Sequence, residues 1–562
     1  MKNLVMLLKE AAETESGITF YKSPREFNFF KYSELWNQSN LYAQQLIDLG
    51  VERGDKVALM LPSDDLFIAQ FFACLQVGAI PTALYPPVRL GRLDDWKATI
   101  EKQLAILQPA VVLTNKQIKP FLGEKIFYQH VKLGVQILDC EKSKNLFKDI
   151  YENEIAFIQF SSGTTGHPKP VYLSHQAVLT NIAQITETLP KTNSVVHSCC
   201  SWLPLYHDMG LVGGLLSSIH QKAHLVLIRP EQFLARPLSW FEAISKFKVT
   251  VTLAPNFAFG LCQKRIKDIQ LEGLSLSSLM ITMCGAEMVH PKTLKEFSKR
   301  FSSIGFDEKT ILPVYGMAEA TLAVTFHSGG ENKRWFIFDR DKLESGIILE
   351  SSEGIELASL GYPLRNVQLR ILNSEGQSLA NEIGEVAIKT PSLFTQIGDM
   401  KAPEWYLTGD LGFIYQGQLF IVGRKKDMII HLGRNIDPTQ IERVADNHDS
   451  VRKGCSAAVA HYNHVLGREE IILFYESDND NQNLNVEVER EVLTNLGLKI
   501  TAIGLKPGTI FRTSSGKIQR QKTLQAYLSH KLNENKISIP KIIIKRVQGQ
   551  IYHLFQESRF GK

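Results

Sequence analysis

Up to about residue 420 the chain alternates short apolar runs with helix-like stretches, and this alternation narrows the fold more than any other feature. Val57-Ala58-Leu59-Met60-Leu61 precedes a helix candidate beginning near Asp64, and Ala110-Val111-Val112-Leu113 follows the helical Leu93–Leu107. His224-Leu225-Val226-Leu227-Ile228 precedes the helical Pro237–Lys246, and Val249-Thr250-Val251-Thr252-Leu253 comes next. Strands alternating with helices in this way build an α/β architecture with largely buried sheets. From Val367 the pattern changes to short strands between turns, among them Gln368–Leu372, Gly384–Lys389 and Gln418–Val422, which predicts a β-rich subdomain over about 360–424. A basic junction, Gly423-Arg424-Lys425-Lys426-Asp427, then leads into a last α/β block ending near Leu528. The closing Lys531–Lys562 is basic and mixed, with Ile542–Val547 a candidate strand and no legible role.

Composition excludes some classes of function. The net charge of +5, from 63 basic and 58 acidic residues, is small for 562 residues and by itself argues neither for nor against nucleic acid; no nucleic-acid partner is expected. Seven scattered cysteines without CxxC spacing fit reduced thiols in a cytoplasmic protein. The stretch from Leu66 to Tyr85 lacks charge and is long enough to span a bilayer. Gln70, Gln76, Gly78 and Pro81 interrupt it, so a buried helix passing into a strand is expected instead, with no stable membrane insertion.

One loop bears on chemistry. The apolar Ile155–Phe160 reads as a strand and runs into Ser161-Ser162-Gly163-Thr164-Thr165-Gly166-His167-Pro168-Lys169. Backbone N–H groups and hydroxyls of such a loop can approach a polyphosphate closely, and the lysine adds positive charge. A Ser/Gly-rich surface turn is the alternative. It is not a Walker A loop, because Pro168 stands where the second glycine should be.

Four further segments extend the pattern. In Met283-Cys284-Gly285-Ala286-Glu287, the small Gly285 and Ala286 would let a planar base lie against the backbone. Val314-Tyr315-Gly316-Met317-Ala318-Glu319 sets an aromatic face four residues before a carboxylate suited to Mg²⁺. Tyr406-Leu407-Thr408-Gly409-Asp410 presents a turn-borne carboxylate able to accept two ribose hydroxyls. Phe511-Arg512-Thr513-Ser514-Ser515-Gly516-Lys517 places a lysine on a Gly/Ser turn near the C-terminus. Each alone is weak, since an aspartate after glycine commonly just makes a turn and a late lysine is commonly solvated.

In this order and together, the segments resemble the adenylate-forming (acyl-activating) superfamily of acyl-CoA synthetases, peptide-synthetase adenylation domains, luciferases and fatty acyl-AMP ligases, over roughly residues 15–530. The resemblance implies an α/β fold: a large multi-subdomain N-terminal adenylation domain, residues 1–424, and a small mobile α+β lid, residues 425–530, followed by a tail over 531–562. It implies a nucleotide site of Ser162, Gly163, Thr164, Thr165, Gly166, Lys169, Gly285, Ala286, Glu287, Tyr315, Gly316, Met317, Ala318, Asp410 and Arg424. Within it, Thr164, Thr165 and Lys169 would lie near the phosphates, Tyr315 against adenine, Asp410 and Arg424 on ribose, and Glu319 on Mg²⁺. Lys517 would be the lid lysine of the adenylation step, and ATP and Mg²⁺ would be required.

Several segments are similar to fatty acyl-AMP ligases in particular: Tyr85-Pro86-Pro87-Val88-Arg89, Ser201–Gly210, Pro255–Phe259, YGMAEAT over Tyr315–Thr321, and Ile429–Pro438. That branch carries a lid-restraining insertion, which would fall at about Glu331–Ser359. The implied reaction joins a fatty acid to AMP, releases pyrophosphate, and passes the acyl group to an acyl carrier protein or a polyketide or peptide synthase carrier domain. The enzyme would act as a monomer. His207, Met209, Gly213, Asn256, Phe257 and Phe259 are the candidate acyl-site residues, with His207 as a gate or positioning group beside Asp208. The apolar members are equally plausible as plain core. A fatty acyl-CoA synthetase and a free-standing adenylation domain are the rival readings. Three departures stand out: Pro170 where glycine is common, Ala318 where threonine is usual, and a short Ser392–Glu404 connection without the family's Gly-Tyr-Trp segment.

Overall fold

The computed structural model describes residues 3–87, 93–122, 130–139, 147, 149–161, 168–189, 197–327, 333–431, 434–463, 468–478, 483–513, 516–529 and 531–533. The phosphate-loop residues 162–167, Ser514 and Ser515, and Ile542–Val547 therefore lie outside the described residues.

Two large sheets form the body. A nine-stranded sheet runs, edge to edge, through strands 362–363, 323–326, 311–316, 281–284, 251–254, 199–201, 225–228, 17–23 and 26–31. Its interior is parallel, with Leu225 opposite Ile18 and Cys199, and Val251 opposite Ile281. An eight-stranded sheet runs through 400–401, 396–397, 169–174, 155–161, 80–83, 56–59, 111–113 and 135–136. Apolar strands such as Leu225–Ile228 and Val111–Leu113 are buried at every position, as parallel strands covered on both faces require.

Helix Asp65–Gln76 lies in the core shared by the two sheets, its residues from Phe67 to Gln76 all buried. Asp64 caps it, accepting the Phe67 N–H at 3.4 Å, and is itself paired with Arg229 at 2.7 Å. The chain then turns at Gly78, with φ +68°, into strand Ile80–Ala83. The uncharged stretch is thus a buried helix passing into a strand, and among the described residues no helix is long and apolar enough to cross a membrane.

Strands 368–372, 384–389, 406–415 and 418–424 make a four-stranded antiparallel sheet, the β-rich region of the sequence. Beyond it, helix Pro438–Asn447 and helix Leu484–Leu496 pack on a three-stranded sheet of 456–463, 468–476 and 501–505. Ile441, Leu473, Val488 and Val492 form a small apolar core there, separate from the main one. The fold is α/β, a large multi-sheet N-terminal region with a smaller C-terminal α+β unit.

Within the expected insertion, Trp335–Phe338 pairs antiparallel with Ile355–Ala358, and helix Arg340–Glu344 lies between them. Phe336 and Phe338 pack on Phe413 and Phe420 of the four-stranded sheet. On the other side, Leu343, Ile355 and Leu357 share a cavity of about 30 Å³ with Asp437, Gln440 and Arg443 of the C-terminal unit.

Candidate active site

Strand 311–316 ends at the site, and its last turn carries the first pair. The Tyr315 hydroxyl donates to Asp410 Oδ2 at 2.6 Å, and Arg424 Nε lies 2.8 Å from Asp410 Oδ1. One buried carboxylate thus holds both a phenol and a guanidinium. Burial and then Asp410 push the Tyr315 phenol well above its ordinary range. Burial opposes the Arg424 charge, but Asp410 holds it above its usual value. Asp410 is not turn-borne, as the sequence suggested: it sits in strand Tyr406–Tyr415 directly opposite Arg424, just beyond Gly409, whose φ is +74°. Cross-strand pairing explains the Asp410–Arg424 contact without any special turn.

Beside this pair opens a cavity of about 400 Å³ lined by Thr408, Gly409, Arg424, Lys425 and Lys426. Lys425 is tied to Glu385 at 2.8 Å. Lys426 is held below its usual value by burial, then by Arg424, with Lys169 adding to the effect. Lys169 itself is exposed, at the first position of strand Lys169–Ser174 and opposite Ser161. Cations therefore converge on one side of the cavity, a setting suited to a polyphosphate.

Glu319 lies on a short 3₁₀ turn, Ala318–Ala320, against strand Ile155–Ser161. The short connection after Ser392 supports this turn: the Phe394 N–H donates to Glu319 O at 2.9 Å, and Thr321 Oγ1 donates to Ser392 O at 2.8 Å. Burial, and then Asp208, raise the Glu319 carboxyl above its ordinary value, while Arg424 and Lys517 oppose them. A half-buried carboxylate such as Glu319 fits Mg²⁺, which takes one or two protein carboxylates and completes its shell with phosphates and water.

Lys517 reaches this site from the C-terminal unit. Burial and Arg424 hold its ammonium below the usual value, and Asp208, Asp410 and Glu287 counter them. Asp208 accepts from His207 Nδ1 at 2.6 Å and from the Met209 N–H at 2.7 Å. Burial would raise the Asp208 carboxyl, but His207 and Lys517 hold it below its ordinary range. The segment that follows, Met209–Leu216, winds as a π-helix, a form common at functional sites.

The other expected residues are held as follows. Gly285 is small because strand packing demands it: a Cβ there would lie 2.5 Å from Val314 Cγ2. Ala286 adopts a left-handed φ of +66°. Glu287 accepts the Phe257 N–H at 2.6 Å, so it caps the start of helix Asn256–Arg265. Asn256 turns its Oδ1 to the His290 N–H at 3.0 Å. Phe257 meets the Trp202 ring edge-on, whereas Phe259 is fully buried between Trp240 and Phe297 and fills the core. Met209 is buried and Gly213 half-buried against Leu322. Met317 and Ala318 are buried, and Gly316 closes its strand. Ser162, Gly163, Thr164, Thr165 and Gly166 lie outside the described residues. Sequence reasoning overlooked Lys426 as a lining residue, although its place in a run of basic residues was the available signal.

An α/β body with a buried acidic–basic cluster met by a lysine from a second unit defines a class, and the chain belongs to the AMP-binding enzyme family, whose profile matches residues 8–397. It is an adenylate-forming, acid-activating enzyme of the acyl-ligase type, with the ATP and Mg²⁺ dependence characteristic of that family. Among its relatives, a protein from Caulobacter vibrioides described as a putative acyl-CoA synthetase is 30% identical over 94% of this chain and 95% of its own. The medium-chain-fatty-acid–[acyl-carrier-protein] ligase JamA of Moorena producens is 30% identical over 94% of this chain and 96% of its own. A solved structure from work on the fatty acyl-adenylate ligases of E. coli and L. pneumophila superposes with a TM-score of 0.85, at 30% identity, over 94% of this chain and 99% of that one.

Proposed function

We propose that the chain is a fatty acyl-AMP ligase that passes its acyl group to the phosphopantetheine thiol of an acyl carrier protein. The observation that carries the acceptor choice is the strand–helix–strand unit over 335–358, wedged between the four-stranded sheet and the C-terminal unit. The resemblance to fatty acyl-AMP ligases puts their lid-restraining insertion at about Glu331–Ser359, a span that includes this unit. The named carrier-protein ligase among its relatives supports the same acceptor, and the fatty acyl-adenylate ligase structure supports the acyl-adenylate step.

In the first step a carboxylate oxygen bonds the α-phosphorus of ATP, the bond to the β-phosphate breaks, and pyrophosphate leaves. The acid is already ionised near neutral pH and needs no general base. His207, fixed by Asp208, is thus better suited to position the acid than to deprotonate it. Asp410 and Arg424 orient ribose beside Tyr315, and Lys169 and Lys426 face the phosphates. Glu319 would hold Mg²⁺, which when bound neutralises charge on the polyphosphate. Lys517 stabilises the charge that builds on the departing oxygens, where fixed cations in a water-poor site act most strongly. In this reading residues 1–424 form the adenylation domain and 425–530 the lid. In the second step the carrier thiol loses its proton, sulfur bonds the acyl carbon, and AMP departs.

Mass spectrometry of products made from ATP, Mg²⁺ and a ladder of fatty acids tests the reading. Acyl-AMP that moves to a phosphopantetheinylated carrier protein but not to CoA is the expected result. Acyl-CoA would instead favour the synthetase alternative that the Caulobacter relative's description names.

A further inference from the structure

The Lys517 turn is gripped from outside by the Arg512 side chain. Arg512 donates from Nη1 to Gly516 O at 2.8 Å, while its Nη2 reaches Gly454 O and, at 3.3 Å, Cys455 Sγ. Arg512 and Ile518 form an isolated antiparallel bridge, so the guanidinium leaves the base of the turn it grips. Inside the turn, the Lys517 N–H donates to Thr513 Oγ1 at 3.0 Å, the Gly516 N–H to Thr513 O at 3.0 Å, and the Thr513 N–H to Lys517 O at 2.8 Å. Gly516 adopts a left-handed φ of +87°, and among the described residues nothing lies within 4 Å of where its Cβ would stand.

We infer that Arg512 is a positioning residue: its guanidinium clamps the turn that carries Lys517 to the Gly454–Cys455 turn, fixing the ammonium before substrates arrive. The inference rests on reading Lys517 as the lysine of the adenylation step. A planar fork suits this work, since its donors bridge acceptors on two separate turns at little further cost in order. Its charge also bears on Glu287, alongside that of Lys517, so the clamp stands at the seam between the C-terminal unit and the body.

Two measurements on the full chain decide it. The first is hydrogen exchange at the Gly516 and Lys517 amides, which needs no substrate. In Arg512→Ala these amides exchange about tenfold faster or more, while strand 456–463 keeps its protection; unchanged exchange overturns the clamp. The second is fatty-acid-dependent ATP–pyrophosphate exchange. Arg512→Ala lowers kcat about 10²-fold, as misplacement of a catalytic group does, with the KM for ATP nearly unchanged. Arg512→Lys recovers only a fraction, because one ammonium cannot span both turns. Added to Lys517→Ala, the Arg512→Ala change costs nothing more, since the two act as a unit; an additive loss overturns the inference. A wild-type protein that exchanges pyrophosphate with no fatty acid defeats the substrate reading, and amide exchange then judges Arg512 alone.

Discussion

At the residue scale the site turns on long-range pairs. Tyr315 and Asp410 are 95 positions apart, yet the phenol donates to the carboxylate at 2.6 Å. Tyr315→Phe keeps the ring against the site and deletes that bond to a charged acceptor, a loss of roughly 1.5–3 kcal/mol in comparable cases. ATP affinity, read as Kd by calorimetry, is expected to weaken by about tenfold or more; an unchanged Kd would mean that Asp410 is held well enough by Arg424 alone. Lys517→Ala is expected to cut single-turnover adenylation roughly 10²–10³-fold, the range for removing one stabiliser of developing charge, while ATP still binds. Both residues were visible in the sequence as types suited to a nucleotide. Their pairings were not, because spacing along a chain says nothing of which strands will lie side by side. Asp410 is the clearest case: Gly409 before it signalled a turn, and only the pairing of strands 406–415 and 418–424 puts it opposite Arg424. Phe259 shows the limit for apolar residues, since no pattern distinguishes an aromatic lining a substrate site from one filling the core between Trp240 and Phe297.

At the scale of elements the sequence was more legible. Helix Leu93–Leu107 and the strands at Val111–Leu113 and Leu225–Ile228 follow directly from apolar patterning. Pro170, which stands where glycine is common, lies within strand Lys169–Ser174, opposite Phe160. What patterning could not reveal is the π-helical winding of Met209–Leu216, for an all-apolar run with three glycines suits several helical forms. The glycines there are not equivalent. A Cβ on Gly210 would lie 2.2 Å from the Pro204 carbonyl oxygen, which is backbone and cannot move aside. A Cβ on Gly213 would meet side-chain tips, Leu322 Cδ2 at 3.0 Å and Leu253 Cδ1 at 3.4 Å. Gly210→Ala should therefore cost about 1–3 kcal/mol, the usual toll of overpacking, and disturb His207 and Asp208 just ahead of it. Gly213→Ala should cost well under that. Thermal unfolding of the two variants tests the contrast, and equal Tm values would mean that the helix rewinds to relieve the clash.

At the scale of the whole molecule, stability depends on buried histidines that must stay neutral. Helix Leu4–Ala11 is seated on the body, and its Leu4 N–H donates to His175 Nδ1 at 3.1 Å. Burial holds the His175 ring down to about 4, and His290, His224 and His327 are lowered from the same cause. A protonated ring would also turn Nδ1 from acceptor into donor, directly against the Leu4 N–H. Unfolded, the ring takes up its proton near its ordinary 6.5, so between that value and about 4 the unfolded chain binds more protons than the folded one. Stability supplied by neutral His175 is therefore complete above pH 6.5 and is lost as pH falls toward 4, by at most about 3 kcal/mol. Buried carboxyls work in the opposite sense. Asp64 is raised to about 6 and Asp446 to about 7, both by burial, so each gives up stability as pH rises from its unfolded value of 3.8 through its folded one. The total slope mixes these contributions, but a difference between variants isolates one of them. His175→Asn keeps an acceptor for Leu4 without a titrating ring. Wild type should be the more stable at pH 8, and its lead in Tm should shrink steadily between pH 6.5 and 4 as the ring becomes a liability. A lead that stays constant over that window would mean that His175 is hydrated in the folded chain, and that the seat of the first helix opens to water before the body does.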